Sequence, residues 1–373
     1  MANLVLSNVN KIYRPRRKAA VHAVKSLDLT VNDGEIVALL GSSGCGKTSI
    51  LRMIAGFEVV TEGSITLGNR TIHDLPPSAR NVAMAFEAYS LYPPLTIGDN
   101  MAFALKAAKL SAVESNTKVK DMAAMLEISG ILGKYPVNVS GGQQQRASLG
   151  RALVRKADLY LLDEPMGQLE PQLRAILRGR MKHYLRENKC TSILVTHDQT
   201  EANALADRIA VMEAGMLQQY ATPAELKARP SNLFTGTFIG EPPMNVLSAT
   251  IETTSKQVTF KIEGGSELRY PPGEISADVT KALKNRNTIT LGIRPHAVYA
   301  GQGSIKGKVI ACQWLGDQTH VAVDVGGRTI VSVSTEKVTL KTGVDISLNI
   351  GAHDLHIFDP ESGEALSHGG VAA

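Results

Sequence analysis

Nine consecutive residues, Gly41-Ser42-Ser43-Gly44-Cys45-Gly46-Lys47-Thr48-Ser49, have the types and spacing to hold a polyphosphate. Three glycines let the backbone curl so that successive N–H groups point at phosphate oxygens. A helix starting at Lys47 adds its positive N-terminal end to the same anion. Ser42, Gly44, Cys45, Gly46, Lys47, Thr48 and Ser49 are therefore the expected nucleotide contacts. Lys47 is expected to reach the β- and γ-phosphates, and the Thr48 hydroxyl to ligate Mg²⁺.

Four more places fit the same chemistry. The apolar run 157–162 ends in Asp163-Glu164-Pro165. A carboxylate at the end of a buried strand, read here as lying beside the phosphate-loop strand, suits Asp163 to Mg²⁺. Glu164 is then placed to accept a proton from a water attacking the γ-phosphate. His197 ends the β run 191–196 and is expected to donate a hydrogen bond to that phosphate. Ser140-Gly141-Gly142 opens a helix running through Leu149 and Leu153, a second N-terminus suited to an anion. Tyr13 is open to two readings, a ring that stacks on a purine or a packed strand tyrosine.

The elements that must position these residues are legible in outline. The apolar run 36–40 reads as the strand before the phosphate loop, and Ile50, Leu51 and Ile54 as one face of the helix after it. Residues 3–31 alternate like antiparallel strands. Residues 97–155 look mostly helical, with Val119, Met122 and Leu126 on one face and Gly130 as the expected C-cap. Leu169, Leu173, Ile176, Leu177, Met181, Tyr184 and Leu185 recur at helical spacing and read as core. Beyond the turn-rich linker 236–245, short β-prone runs at 258–262, 288–293, 308–311, 320–325, 329–333 and 346–350 indicate a small barrel or sandwich.

The chain has 373 residues, enough for two domains. With 43% hydrophobic and 20% charged residues it has an ordinary globular composition. A net charge of +5 and a pI near 9.0 do not make a nucleic-acid footprint. Only 11–18 is densely basic, and it reads as a solvated hairpin tip. No signal peptide and no run of about 18 apolar residues is seen, which points to the cytosol. Cys45, Cys190 and Cys312 are odd in number and far apart, as expected of reduced thiols.

In this order the motifs resemble those of the ATP-binding-cassette ATPases. The resemblance rests on the loop at 41–48, the signature-like stretch 139–146, Leu161-Leu162-Asp163-Glu164-Pro165 and the switch histidine His197, and it covers roughly residues 1–238. It implies an α/β P-loop nucleotide-binding domain over 1–238, with a helical subdomain at about 88–155. It also implies ATP and Mg²⁺ as cofactors, and two cassettes facing each other, so that Ser140 and Gly142 act on a partner's nucleotide. Tyr13 matches the family's adenine-stacking aromatic.

Within the family the chain is most similar to the ATPase subunits of binding-protein-dependent sugar importers. Residues 89–94, Tyr-Ser-Leu-Tyr-Pro-Pro, resemble the loop that grips a coupling helix of the membrane subunits. Gly292-Ile293-Arg294-Pro295-His296 and His356-Ile357-Phe358-Asp359-Pro360 resemble pieces of the importers' all-β oligonucleotide-fold (TOBE-like) regulatory domain, expected over 239–373. The implied partners are a second ATPase chain, two membrane permease subunits and, indirectly, a solute-binding protein, with no nucleic acid. The implied location is the cytoplasmic face of the inner membrane, peripheral.

Two positions depart from the family. Glu87 stands where the family has a glutamine contacting Mg²⁺ and water, and Glu170 where it usually has an aspartate. At about 4 Å and an effective dielectric near 20, a like-charge contact costs on the order of 4 kcal/mol before a metal offsets it. One reading is a working ATPase, because Lys47, Thr48, Asp163, Glu164 and His197 are all present. The alternatives are a weakly active cassette in a heteromeric pair, or an importer ATPase for polyamines, iron or oxyanions.

Overall fold

A computed structural model describes residues 2–14, 16, 19–87, 90–284, 286–301 and 303–369. The chain forms two compact units, 1–223 and 224–373.

The first unit begins with β1 (Leu4–Tyr13), β2 (Val21–Val31), β3 (Ile36–Gly41), α1 (Lys47–Ala55), β4 (Glu62–Leu67), β5 (Arg70–Thr71) and β6 (Val82–Ala85). It continues with α2 (Ile97–Phe103), α3 (Ala112–Met125), α4 (Gly141–Leu153), β7 (Leu159–Asp163) and α5 (Pro171–Glu187). The last elements are β8 (Ser192–Val195), α6 (Gln199–Leu205), β9 (Arg208–Glu213) and β10 (Met216–Ala221). β2-β1-β4-β5 make an antiparallel sheet, and β10-β9-β3-β8-β7-β6 a second sheet that is parallel from β9 to β6.

The apolar face read from α1 is real. Ile50, Leu51 and Ile54 are fully buried in a core with Leu4, Leu27, Ile65, Leu161 and Val195. Burying each such side chain contributes about 1.5–3 kcal/mol, so the helix is fixed on both sheets and its N-terminus is aimed by packing. The short strands β3, β7 and β8 are buried along their whole length, which is why they appear as apolar runs without alternation.

Four expectations are corrected. The strand bearing Asp163 does not lie beside β3, because β8 is inserted between them. Gly130 does not cap α3: the helix ends at Met125 with Leu126 as its cap, and Glu127 takes the left-handed turn at φ 55°. The carbonyls left unpaired by the helix there are satisfied by Arg146 of α4, which donates to Leu126 O at 3.1 Å and Glu127 O at 2.8 Å. Ile176 is half exposed, whereas Leu177, Met181 and Leu185 are buried. Lys11 is not solvated: it is buried, paired with Glu58 at 2.8 Å and donating to Val59 O at 2.9 Å. Pro15, Arg17 and Lys18 of the same basic run lie outside the described residues.

The second unit holds two antiparallel sheets. In one, Glu267–Tyr270, Val258–Ile262, Asn245–Thr253, Thr288–Ile293, Leu355–Phe358 and Ala365–His368 follow in spatial order. In the other the order is Val298–Gly301, Asp345–Ile350, Ile305–Trp314, Thr319–Val325 and Arg328–Ser334. The six strand runs read from the sequence all fall on these strands, and Phe260, Leu291, Ile305, Val323, Leu348 and Ile357 lie in their common core. Gly292 pairs with His356 across neighbouring strands, so the two stretches that carried the resemblance are adjacent in space.

The division between units falls at 223/224, whereas the sequence reading set it at about 238. Arg294 shows why the intervening residues go with the second unit. Its guanidinium donates to the carbonyls of Gly236 (2.7 Å), Lys227 (3.0 Å) and Ile239, and an isolated pairing between Asn232 and Glu364 adds a further tie. Burial lowers the Arg294 pKa to about 10. No helix among the described residues is long and apolar enough to cross a membrane.

Candidate active site and family

The register of three parallel strands builds the site. Leu39 of β3 faces Val195 of β8, and Val195 faces Asp163 of β7, so the three strands end in one row. The phosphate loop, the Thr196-His197 turn and the Glu164 turn therefore leave the sheet along a single edge. They enclose a cleft of about 370 Å³ lined by Gly44, Gly46, Lys47, Thr48, Ser49, Glu87, Glu164 and His197, with Ala23, Ser43 and Val195.

The loop itself is tightly held. Gly46 sits at φ 107°, and a Cβ there would lie 2.4 Å from Ala23 O, so only glycine fits. Gly46 begins α1 without a side-chain cap, leaving the first amides of the helix to the cleft. Lys47 is buried, and its ammonium donates to Gly41 O and Ser42 O, both at 2.8 Å, with Cys45 Sγ at 3.6 Å. Ser42 turns away from the cleft and donates its hydroxyl to Glu213. The Tyr13 hydroxyl is 3.1 Å from Ser49 Oγ, and the Lys11 ammonium lies 4.6 Å from the Tyr13 ring centroid.

Asp163 is buried behind this edge and does not line the cleft. Burial, then Glu87, then Glu164 push its pKa up to about 6, against the opposing pull of Arg52 and Lys47. Glu87, the residue that departs from the family pattern, thus adds to an existing excess of negative charge. Glu164 stands in the left-handed region at φ 45°, a conformation costing of order 1–3 kcal/mol for a residue with a side chain. Its amide donates to Val195 O at 2.9 Å, and its Oε1 is 3.1 Å from His197 Nδ1. Among the described residues no three His, Cys, Asp or Glu side chains form a metal cage. The oxygen donors present, the Thr48 hydroxyl and the carboxylates of Asp163 and Glu87, suit a hard cation that keeps water and phosphate ligands.

Ser140 and Gly142 do not line the cleft. Ser140 caps α4 through a reciprocal capping box: Gln143 N donates to Ser140 Oγ at 3.4 Å and Ser140 N to Gln143 Oε1 at 3.0 Å. Glu170 precedes α5 without capping it through its side chain.

Several residues that hold the site were missed from the sequence. Gln145 is buried and bridges Glu164 O (2.8 Å) and Gln168 N (3.0 Å). Arg174 donates to Gly167 O and Leu169 O, both at 3.2 Å, and pairs with Asp198, next to His197, at 3.1 Å. Glu201 accepts from the Thr196 hydroxyl at 2.8 Å, and its pKa is pushed up to about 7, chiefly by burial. For Gln145 a signal existed, since its spacing of four and eight residues from Leu149 and Leu153 sets it on the apolar face of α4. For Arg174 and Glu201 the local sequence carries none.

The loop between β6 and α2 is organised by buried Asn100, which accepts from Tyr92 N (2.7 Å) and donates to the carbonyls of Tyr92 (3.1 Å), Leu95 (3.1 Å) and Thr96 (2.9 Å). Tyr92 packs on Phe103 at 4.9 Å between ring centroids. A groove of about 230 Å³ beside them is lined by Phe86, Tyr92, Phe103 and Arg151 among others. Tyr89, expected in this loop, lies outside the described residues.

Comparison with known proteins agrees with this geometry. Residues 24–167 match the ABC transporter family, 240–298 the MalK OB fold domain and 291–358 the TOBE domain. The chain is 38% identical to the trehalose/maltose import ATP-binding protein MalK of Thermococcus litoralis, over 98% of this chain and 100% of that protein. It is 39% identical to the sn-glycerol-3-phosphate import ATP-binding protein UgpC of Cereibacter sphaeroides, again over 98% and 100%. The alpha-glucoside transport ATP-binding protein AglK of Rhizobium meliloti is 37% identical, over 96% of this chain and 98% of its own. A solved dimeric structure of the ATP-binding cassette MJ0796 bound to ADP and Pi superposes with a TM-score of 0.55 and 27% identity, covering 59% of this chain and 98% of that one. The loop, the three aligned strand ends and the near-complete match in length agree, and the chain belongs to the import ATP-binding proteins of the ABC transporter family.

Proposed function

We propose that the chain is the ATP-hydrolysing, membrane-peripheral subunit of an importer for a carbohydrate or polyol, acting at the cytoplasmic face. The observation that carries this reading is the convergence of the phosphate loop, Glu164 and His197 in one cleft. The names of the relatives, which import maltose, glycerol phosphate or alpha-glucosides, support the substrate class.

In this reading the loop amides and the start of α1 bind the phosphates, and Lys47 transfers its hydrogen bonds from the carbonyls of Gly41 and Ser42 to phosphate oxygens. Tyr13 offers the base the ring face that Lys11 does not cover. Thr48, Asp163 and Glu87 hold Mg²⁺, which supplies charge neutralisation at the phosphates. Glu164 accepts the proton of the attacking water, and His197, held through Nδ1 by Glu164, steadies the γ-phosphate. Ser140 and Gly142 complete the site of a second ATPase chain, consistent with their distance from the cleft of their own chain. The groove at Tyr92 and Phe103 receives a helix of one of two permease subunits, and the second unit helps to hold the dimer and takes up regulatory signals. A solute-binding protein delivers the substrate.

Purification of the tagged chain from native membranes, with mass spectrometry of the co-eluting subunits, tests this. Two permease chains and Mg²⁺-dependent ATP turnover that rises with sugar-loaded binding protein are expected. Recovery without any membrane protein, with turnover indifferent to solute, would sink the importer reading.

A further inference from the structure

The signature end of α4 serves one nucleotide and Glu164 another, yet both belong to one chain. Gln145 is the side chain that joins them. It is buried at 3% exposure and uses both ends of its amide: Nε2 donates to Glu164 O at 2.8 Å, and Oε1 accepts from Gln168 N at 3.0 Å. These two partners bracket the turn that follows β7. Glu164, at the start of that turn, holds a left-handed backbone at φ 45° that the surroundings must enforce. Gly142, three residues before Gln145, lies so close to the far end of the turn that a Cβ there would meet Gln168 O at 3.2 Å. The start of α4 therefore packs directly on the turn 164–168, and the Gln145 amide is the side-chain link from that helix to the Glu164 backbone.

We propose that Gln145 is a positioning residue that couples the two nucleotide sites of the dimer, setting Glu164 for attack only when the signature end of its own α4 is engaged. This rests on the ATPase reading above. A residue acting this way governs the chemical step and leaves nucleotide affinity to the phosphate loop.

The test is steady-state ATP turnover by the full-length chain, with affinity for a fluorescent ATP analogue measured alongside, for wild type, Gln145→Ala and Gln145→Glu. Gln145→Ala is expected to lower kcat about tenfold while the KM and the analogue affinity stay within about twofold. Gln145→Glu keeps the acceptor for Gln168 N and lacks the donor to Glu164 O until its carboxyl is protonated. Its kcat relative to wild type is therefore expected to rise as pH is lowered, a dependence that a packing role does not produce. Unchanged kcat in both variants overturns the proposal. So does a parallel fall of kcat, affinity and melting temperature, or a flat pH ratio for Gln145→Glu. Lack of turnover in wild type removes the ATPase reading together with this inference, whereas normal wild-type turnover with normal variants removes the inference alone.

Discussion

Two helices of the first unit begin at glycines beside a functional turn, and they treat their first amides differently. α1 starts after Gly46 with no side-chain cap, and its N-terminus faces the cleft. α4 starts after Ser140, whose hydroxyl and backbone amide are both engaged with Gln143. An uncapped helix start has free donors and binds an anion without losing anything first. A capped one is stable alone, and offers an anion only the remaining amides and the dipole. The difference is consistent with the proposal that the loop binds nucleotide by itself and that Ser140 and Gly142 contribute to the site of a second chain. The residue at the N-cap makes the difference: Gly46 has no side chain to cap with, whereas Ser140 does.

Lys47→Ala removes the one cation inside the loop, and ATP affinity is expected to fall about a hundredfold, read by equilibrium binding; retained affinity would mean that the α1 amides suffice. Ser140→Ala removes the α4 cap and is expected to cost about 1 kcal/mol of stability. Under the two-site reading it should also lower turnover while ATP affinity is kept, and loss of affinity would place Ser140 in its own chain's site.

Glu87→Gln tests the charge balance beside α1. The folded pKa of Asp163, about 6, lies above its ordinary 3.8, so the stability it allows is full at low pH and is lost as pH rises through that interval. Removing the Glu87 charge is expected to return about 1 kcal/mol above pH ~6 and little near pH ~4. Denaturant unfolding of the nucleotide-free protein at the two pH values measures this, and equal gains at both would reject Glu87 as a cause. The smallest effect is expected at a third helix start. Glu170 leaves α5 uncapped, and Glu170→Asp is expected to add about 0.5–1 kcal/mol by supplying the shorter acceptor, seen as a raised Tm.

Much of this molecule can be read from its sequence because its chemistry is local. The phosphate loop, the Asp163-Glu164 strand end, His197 and the Ser140 helix start are each fixed by neighbouring residues, and each lies on the element expected of it. Six strand runs of the second unit are also local and legible, but Asn245–Thr253, which starts at the last residue of the turn-rich stretch 236–245, is not among them, and the short helices at Pro223–Ala228, Leu233–Phe238 and Ala277–Leu283 show no strong period. Ile176 shows the limit of periodicity, since helical spacing identifies a face without saying where its edge meets solvent.

Local sequence specifies the candidate site groups and the turns that carry them, since phosphate loops, caps and strand ends depend on contacts within a few residues. Long-range packing sets the rest: β8 separates β3 from β7, Arg146 closes α3, Arg294 draws residues 227–239 into the second unit, and Gln145 ties Glu164 to α4. Each of these is a pairing between groups distant in sequence. The order of parallel strands and the partners of buried polar side chains are set by which arrangement buries the apolar faces while satisfying every amide and guanidinium, a condition on the whole fold that no local pattern expresses.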